Sequence, residues 1–231
     1  MEFDRIYAEV DLGRIEENME AMKEHLRPGT KMYGVVKTDA YGHGAVPVAR
    51  TIDRFVCGYA VATVDEGLKL RRHGIEKEIL SLGPVSAGRY QECLENDISL
   101  PVFEYRRAKE LSDAAAAEGK TAKIHIAVDT GMSRIGLFPD EGSVETVKEI
   151  AELPALRIAG MFTHFARADE ADKTNAGEQY SRFHAFCDAV KAAGVDVPVC
   201  HCSNSAGIVE LPDFNMDAVR AGITIYGLYP S

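Results

Sequence analysis

The chain has 231 residues, of which 46% are hydrophobic and 27% are charged, a balance typical of one folded domain with a full-sized core. Its formal net charge of −10 argues against a nucleic-acid partner. No apolar run approaches the roughly 20 residues of a membrane span, and the charged N-terminus, MEFDRIYAEVD, is unlike a signal peptide, so we expect a cytoplasmic protein that is not bound to a membrane.

Short apolar runs alternate with helical patterns along the chain. The predicted strands cover residues 31–36, 58–62, 78–82, 98–103, 122–128, 157–163, 197–202 and 218–221. Helices are predicted at residues 12–26, 108–118, 144–153 and around 180–190. This alternation indicates βαβ units, and eight strands predict a closed (β/α)8 barrel, a TIM barrel. The helix at 12–26 precedes the first strand and is expected to take the eighth outer position. An open doubly wound sheet is the alternative, but no GxGxxG follows the first strand.

The cysteines do not predict a disulfide framework or a metal site. They lie at positions 57, 93, 187, 200 and 202, an odd number that is mostly scattered. Cys200 and Cys202 flank His201 on a predicted strand, where alternate side chains face opposite sides. These three residues therefore cannot readily bind one ion, and no second pair of ligands is suitably spaced.

Polar and glycine-rich segments follow five of the predicted strands. In barrel enzymes the chemistry lies at the C-terminal ends of the strands, so these segments predict the rim of an active site. Lys37 comes directly after the buried run Met32–Val36 and is followed by Tyr41 and two glycines. By itself such a lysine is most often solvated, but a lysine at a partly desolvated barrel mouth can act as a nucleophile.

The ends of strands seven and eight predict an anion site. The segments after these strands often bind phosphate in barrels, through backbone N–H groups. Here they contribute Ser205, at the start of a short helical stretch, together with Gly222 and Ile223. A plain N-cap and a plain turn glycine are the alternative interpretation of these residues.

Three further residues are predicted at the rim. His164 follows strand six, and its position at a strand end favours a rim residue over a core histidine. Arg220 follows Ala218 and Val219 and is expected to face inward, where it needs a planar acceptor. Arg134 lies in the loop after strand five between two glycines.

No GxSxG or P-loop motif is present. A lysine and a phosphate site in a barrel instead predict an enzyme that forms a Schiff base, either with a substrate, as in an aldolase, or with pyridoxal 5'-phosphate (PLP).

Five segments in register then carry a family resemblance. They are VVKTDAYGHG (35–44), VDTGMSRIG (128–136), FTHFARAD (162–169), HCSNSAG (201–207) and VRAGITIYGLYP (219–230). Together they resemble the alanine racemase family of fold-type III PLP enzymes. The resemblance implies that residues 1–231 are the PLP-binding barrel, the N-terminal domain. It also implies conversion of L-alanine to D-alanine, which supplies cell-wall peptidoglycan.

The resemblance also implies a role for each cofactor-binding residue. Lys37 forms the Schiff base with PLP and is the base on the D-face of the substrate. The phosphate is held by Tyr41, Ser205, Gly222 and Ile223.

The remaining implied roles concern the cofactor ring and the substrate. Arg220 donates to the pyridine nitrogen and is oriented by His201. His164 packs on the ring, and Asn204 belongs to the cofactor site. Arg134 bonds the cofactor's phenolic oxygen and helps place the substrate carboxylate.

Two departures from the family pattern alter these expectations. Ala127 stands where the family often has a lysine that becomes carbamylated near the strand-five arginine. The sequence also ends at Ser231, before the family's β-rich C-terminal domain, which carries the opposite-face tyrosine and acts across a homodimer. We therefore expect a monomer or weak dimer that binds PLP but racemises alanine poorly.

Three other functions remain as alternatives at this point. A non-enzymatic, single-domain PLP-binding protein of cofactor homeostasis matches the length but differs in its motifs. Serine racemases share the motifs. PLP decarboxylases with this barrel are longer and usually present a carboxylate where Arg220 stands.

Overall fold

A computed structural model describes residues 6–230 as a closed barrel of eight parallel strands. Residues 1–5, which belong to the charged N-terminal segment, and Ser231 lie outside the described part. The strands are β1 (Lys31–Val35), β2 (Gly58–Val61), β3 (Glu78–Ser81), β4 (Ile98–Val102), β5 (Ala122–Ala127), β6 (Leu156–Phe162), β7 (Cys200–His201) and β8 (Ala218–Ala221). Each strand pairs with the next in sequence, and β8 pairs with β1. The predicted (β/α)8 barrel is confirmed.

Helices surround the barrel. They are α1 (Leu12–His25), α2 (Lys37–Tyr41), α3 (Ala45–Ile52), α4 (Val64–Arg72), α5 (Tyr90–Glu95), α6 (Tyr105–Ala117), α7 (Glu141–Ala151), α8 (Thr174–Ala192) and α9 (Ser205–Glu210). The Asp11 side chain caps α1 by accepting from the N–H groups of Gly13 and Arg14. Helix α1 packs against α3 and α9 and takes the outer position that a helix after β8 would occupy, as predicted. None of the helices within residues 6–230 has both the length and the apolar character needed to cross a bilayer.

Strand β7 is much shorter than predicted. The apolar pattern indicated a strand over residues 197–202, but only Cys200 and His201 form regular ladder pairs. Pro198 has no N–H to donate to a neighbouring strand, which limits pairing before Cys200. The facing of the side chains is as predicted, because Cys200 and Cys202 pack in the outer core whereas His201 bonds Arg220 inside the barrel.

The core has two layers of different chemistry. Between the strands and the helices lies a continuous apolar core, exemplified by Ile79, Ile124 and Phe183. The barrel interior, which in this fold is usually filled by branched aliphatic residues, instead contains a set of hydrogen-bonded polar side chains. They are Tyr33, Glu78, His125, His201 and Arg220. These polar side chains extend from the start of the strands, at Glu78, toward the C-terminal ends of the strands, at Arg220.

Candidate active site

The residues predicted at the rim converge on one cavity at the C-terminal ends of the strands. The cavity has a volume of about 300 Å³, and its lining includes Lys37, Tyr41, His164, Asn204, Ser205, Arg220, Gly222 and Ile223. An adjoining cavity of about 270 Å³ shares Lys37, His164 and Arg220 and adds Arg134. His201 lies outside both linings. It is fully buried, donates nothing to the cavity directly, and contacts the cavity walls through its bond with Arg220 and its stacking on Phe162.

Lys37 and Tyr41 are carried on an unusual left-handed turn. In α2 the four residues from Thr38 to Tyr41 have φ between +52° and +56°, and Gly42 ends the turn at φ +87°. Left-handed helical geometry costs an L-residue roughly 1–2 kcal/mol, so consecutive examples need support from their surroundings. The turn sends both Lys37 and Tyr41 into the same cavity.

Two carboxylates hold this turn. Asp39 Oδ1 accepts hydrogen bonds from Ala45 N at 2.9 Å and from Lys69 Nζ at 2.7 Å. Glu66 Oε1 accepts from Thr38 N at 2.6 Å, while its other oxygen completes the capping box of α4. Neither carboxylate was predicted from the sequence to belong to the site. The capping-box spacing is a local signal for Glu66, but its contact with Thr38 joins residues 28 positions apart.

The Lys37 amine is half-buried and makes no ion pair with any described residue. Its Nζ lies 5.8 Å from the centre of the Tyr41 ring. That ring packs 5.1 Å from the ring of Tyr226, whose hydroxyl donates to Val35 O at 2.9 Å. Burial raises the pKa of Tyr41, so its hydroxyl stays protonated and can donate. Lys37 is therefore held at the cavity with its amine available for bonding.

A small polar recess lies between Ser205, Gly222 and Tyr41. Ser205 Oγ accepts from Gly222 N at 3.0 Å. A Cβ added at Gly222 would lie 3.5 Å from both Ser205 Oγ and Tyr41 Oη, so the glycine leaves space between the two hydroxyls. Asn204 Oδ1 is engaged in capping α9, where it accepts from Gly207 N at 3.0 Å. The recess thus places two hydroxyl groups on the wall of the cavity, where they can donate to an anion.

Arg220 is the most highly bonded side chain of the site, and only 3% of it is exposed. Its Nη1 donates to His201 Nδ1 at 2.8 Å, and its Nη2 donates to Thr163 O at 2.8 Å, to His164 Nδ1 at 3.1 Å and to Cys202 O at 3.1 Å. Burial lowers the pKa of Arg220 to about 10, which still leaves it protonated at neutral pH. Its Nε–H has no acceptor among residues 6–230 and remains available to a ligand.

Arg134 is exposed and borders the second cavity. Its loop is tied down by Asp129 Oδ1, which accepts from Gly131 N at 3.0 Å and Ser133 N at 2.9 Å. Ala127 is buried at the end of β5, and its methyl group offers no polar atom to hold the guanidinium. Arg134 makes no hydrogen bond or ion pair within the described residues, which leaves its donors free.

Both histidines that bond Arg220 are neutral in the folded chain. Burial, followed by the charges of Arg220, Arg134 and Lys37, lowers the pKa of His164 to about 3. Burial and the charge of Arg220 lower the pKa of His201 well below its ordinary value. Each histidine accepts from the guanidinium through its Nδ1.

These lowered pKa values predict acid destabilisation. The unfolded chain binds protons on His164 and His201 below about pH 6.5, whereas the folded chain does not. We expect the free energy of unfolding to fall between pH 6.5 and 4.5, each histidine contributing a slope of up to about 1.4 kcal/mol per pH unit. Urea unfolding at several pH values measures this slope. In the His164→Gln variant the slope should decrease by up to about 1.4 kcal/mol per pH unit, which is the contribution of one bound proton. An equal slope in both proteins would contradict the lowered pKa of His164.

Comparisons with known proteins identify the family of this chain. Residues 10–230 match the family described as alanine racemase, N-terminal domain. The proteins named alanine racemase from Clostridium novyi and Methanococcus maripaludis are 45% and 42% identical over 227 residues, which cover 98% of this chain. The match extends over only 58% and 61% of those proteins, so the chain spans about three fifths of the length of these relatives.

Solved structures give the same result. Alanine racemase from Clostridium difficile 630 has a TM-score of 0.94 at 39% identity, over 95% of this chain and 58% of that one. Alanine racemase from Bacillus anthracis, solved with bound L-Ala-P, has a TM-score of 0.88 at 38% identity, over 99% of this chain and 60% of that one. The chain therefore belongs to the alanine racemase family, whose members depend on PLP, and it corresponds to the N-terminal barrel domain of that family.

Proposed function

We propose that residues 1–231 form the PLP-binding barrel of a cytoplasmic alanine racemase, in which Lys37 binds the cofactor and exchanges a proton with the D-face of alanine. The observation that carries the proposal is the convergence of Lys37, Arg220 and the Ser205–Gly222 recess on one cavity. The racemase activity is in line with the names of its relatives. The whole protein would be a homodimer that supplies D-alanine for peptidoglycan.

The cavity fits PLP by the chemistry of its donors. The recess between Ser205, Gly222 and Tyr41 offers two hydroxyl groups that can donate to a phosphate. The free Nε–H of Arg220 suits a neutral ring nitrogen as acceptor. Lys37 contributes an unpaired amine for covalent attachment to an aldehyde. In this assignment Ile223 joins the phosphate site, and Asn204 supports it by capping α9.

When bound, PLP withdraws electrons from the α-carbon of an attached amino acid and makes its α-proton acidic. The residues of the chain then have separate tasks. Lys37 Nζ accepts the α-proton on one face and returns it. Arg220 donates a hydrogen bond without giving up its proton, because its pKa is about 10. Arg220 would therefore leave a ring nitrogen unprotonated, which would limit electron withdrawal and disfavour side reactions. His164, neutral beside Arg220, would pack against the ring, and Arg134 would offer its free donors to the substrate carboxylate.

Replacing Lys37 with alanine tests the cofactor assignment. We expect the purified chain to acquire the absorbance of covalently bound PLP and, after borohydride reduction, a mass increase on the peptide that contains Lys37. Lys37→Ala should lose both signals, because no other lysine within residues 6–230 lines either cavity. Lys31→Ala is the matched control, since Lys31 lies exposed at the opposite end of the same strand and should change neither. Labelling that persists in Lys37→Ala would refute the assignment.

Hydrogen exchange in D₂O tests the proposed reaction without requiring complete racemisation. A single base on the D-face should exchange the α-proton of D-alanine faster than that of L-alanine, as measured by NMR. Lys37→Ala should abolish this exchange. If PLP binds but neither enantiomer exchanges, the racemase proposal fails while the cofactor assignment stands. Faster exchange of D-serine than of D-alanine would favour a serine racemase instead.

A further inference from the structure

A row of hydrogen bonds crosses the barrel interior and ends on Arg220. It begins at Glu78, at the start of β3, whose Oε1 lies 3.2 Å from His125 Nε2. His125 Nδ1 lies 3.1 Å from His201 Nε2, and His201 Nδ1 lies 2.8 Å from Arg220 Nη1. His125 and His201 are fully buried, and neither Glu78 nor His125 borders the cavity. Nothing in the proposed reaction uses Glu78 or His125 directly.

The chemistry at the two ends determines where every proton in this row lies. Arg220 can only donate, so His201 Nδ1 must be the acceptor and His201 carries its proton on Nε2. That proton needs an acceptor, which is His125 Nδ1, so His125 also carries its proton on Nε2. The last acceptor is the carboxylate of Glu78. All three bonds therefore point the same way, from the guanidinium to the carboxylate.

Glu78 is suited to be the fixed acceptor. Its Oε1 also accepts from Ser99 Oγ at 2.7 Å, and its Oε2 accepts from Tyr33 Oη at 2.7 Å. Burial opposes ionisation, but the contacts with His125, Ser99 and Tyr33 outweigh it and lower the pKa of Glu78. The carboxylate is thus charged at neutral pH, and it closes the row that begins at the Arg220 guanidinium.

We propose that Glu78 and His125 are positioning residues that lock His201 in the tautomer whose Nδ1 accepts from Arg220, and thereby set the guanidinium for its ligand. The effect on the ligand of Arg220 rests on the proposed function, in which Arg220 faces the PLP ring. The tautomer of His201 is a property of the chain alone. Loss of the acceptor at position 125 leaves His201 Nε2–H buried without a partner, so the other tautomer becomes populated and its Nδ1–H opposes the N–H of Arg220.

The test uses ¹⁵N NMR of histidine-labelled chain without cofactor, followed by PLP titration. Wild type should show His125 and His201 protonated only on Nε2. In His125→Phe we expect His201 to populate both tautomers and the dissociation constant for PLP to rise about tenfold, as loss of a partner to a buried polar group implies. His125→Asn should restore most of both properties, because its amide oxygen can accept from His201. Tyr33→Phe is the matched control, since it removes one bond to Glu78 but leaves the row intact.

The outcomes separate the two proposals. A single His201 tautomer in His125→Phe would overturn the inference, and so would PLP affinity within about twofold of wild type. Equal loss in His125→Phe and Tyr33→Phe would also overturn it, because Tyr33→Phe keeps the acceptor at position 125 and the effect would then not depend on that acceptor. If wild type binds no PLP, the proposed function fails, and the tautomer measurement alone decides whether the row positions His201.

Discussion

Replacing Arg220 with leucine is expected to lower the free energy of unfolding by about 3–5 kcal/mol, because it removes the shared donor of a buried network. The carbonyls of Thr163 and Cys202 have no other hydrogen-bond donor among residues 6–230. The Nδ1 atoms of His164 and His201 lose their donor as well. Each buried acceptor left without a partner costs roughly 1–3 kcal/mol, which outweighs the gain from no longer burying a charge. Urea unfolding at pH 7.5 measures the change.

The Arg220→Lys variant separates charge from geometry. Lysine keeps the positive charge, but its single ammonium cannot span the acceptors that the planar guanidinium reaches. We expect it to recover less than half of the stability lost in Arg220→Leu. Full recovery would show that charge alone matters at this position. Wild-type stability in Arg220→Leu would refute the account of the network.

Replacing Gly136 with alanine is expected to cost about 2–5 kcal/mol and to open the loop that carries Arg134. Gly136 has φ +130°, a conformation that residues with a side chain rarely adopt. A Cβ there would lie 2.3 Å from Asp129 N and 2.5 Å from Val128 C, both rigid backbone atoms. The bonds that close the loop, including Asp129 N to Leu137 O at 2.9 Å, would then break. Hydrogen exchange of the loop amides should accelerate accordingly.

Gly119→Ala is the matched control for this prediction. Gly119 also has a positive φ of +63°, but nothing lies within 4 Å of the position that its Cβ would occupy. It should therefore cost only the conformational penalty of about 1–2 kcal/mol. The difference between the two variants measures the steric clash. Equal stability of Gly136→Ala and Gly119→Ala would show that the loop can relax around the added methyl group.

Features of the chain that depend on local interactions were predicted correctly from the sequence. Strand and helix periodicities are local, and they correctly predicted eight parallel strands and the helix that replaces the one after β8. The rule that chemistry follows the strand ends correctly brought Lys37, His164 and Ser205 to one cavity. Strand β7 was predicted too long, because hydrophobicity does not register the N–H that Pro198 lacks.

The sequence by itself determined the barrel, the family and the segments that border the cavity, because short motifs and regular spacings indicate each of these. Only the tertiary structure revealed the left-handed turn that presents Lys37, its support by Glu66, and the interior row from Glu78 to Arg220. Glu78 begins β3 and His125 lies within β5, and both look like ordinary barrel residues in the sequence. They meet His201 only when the sheet closes, since closure alone brings strands β3, β5 and β7 around one interior.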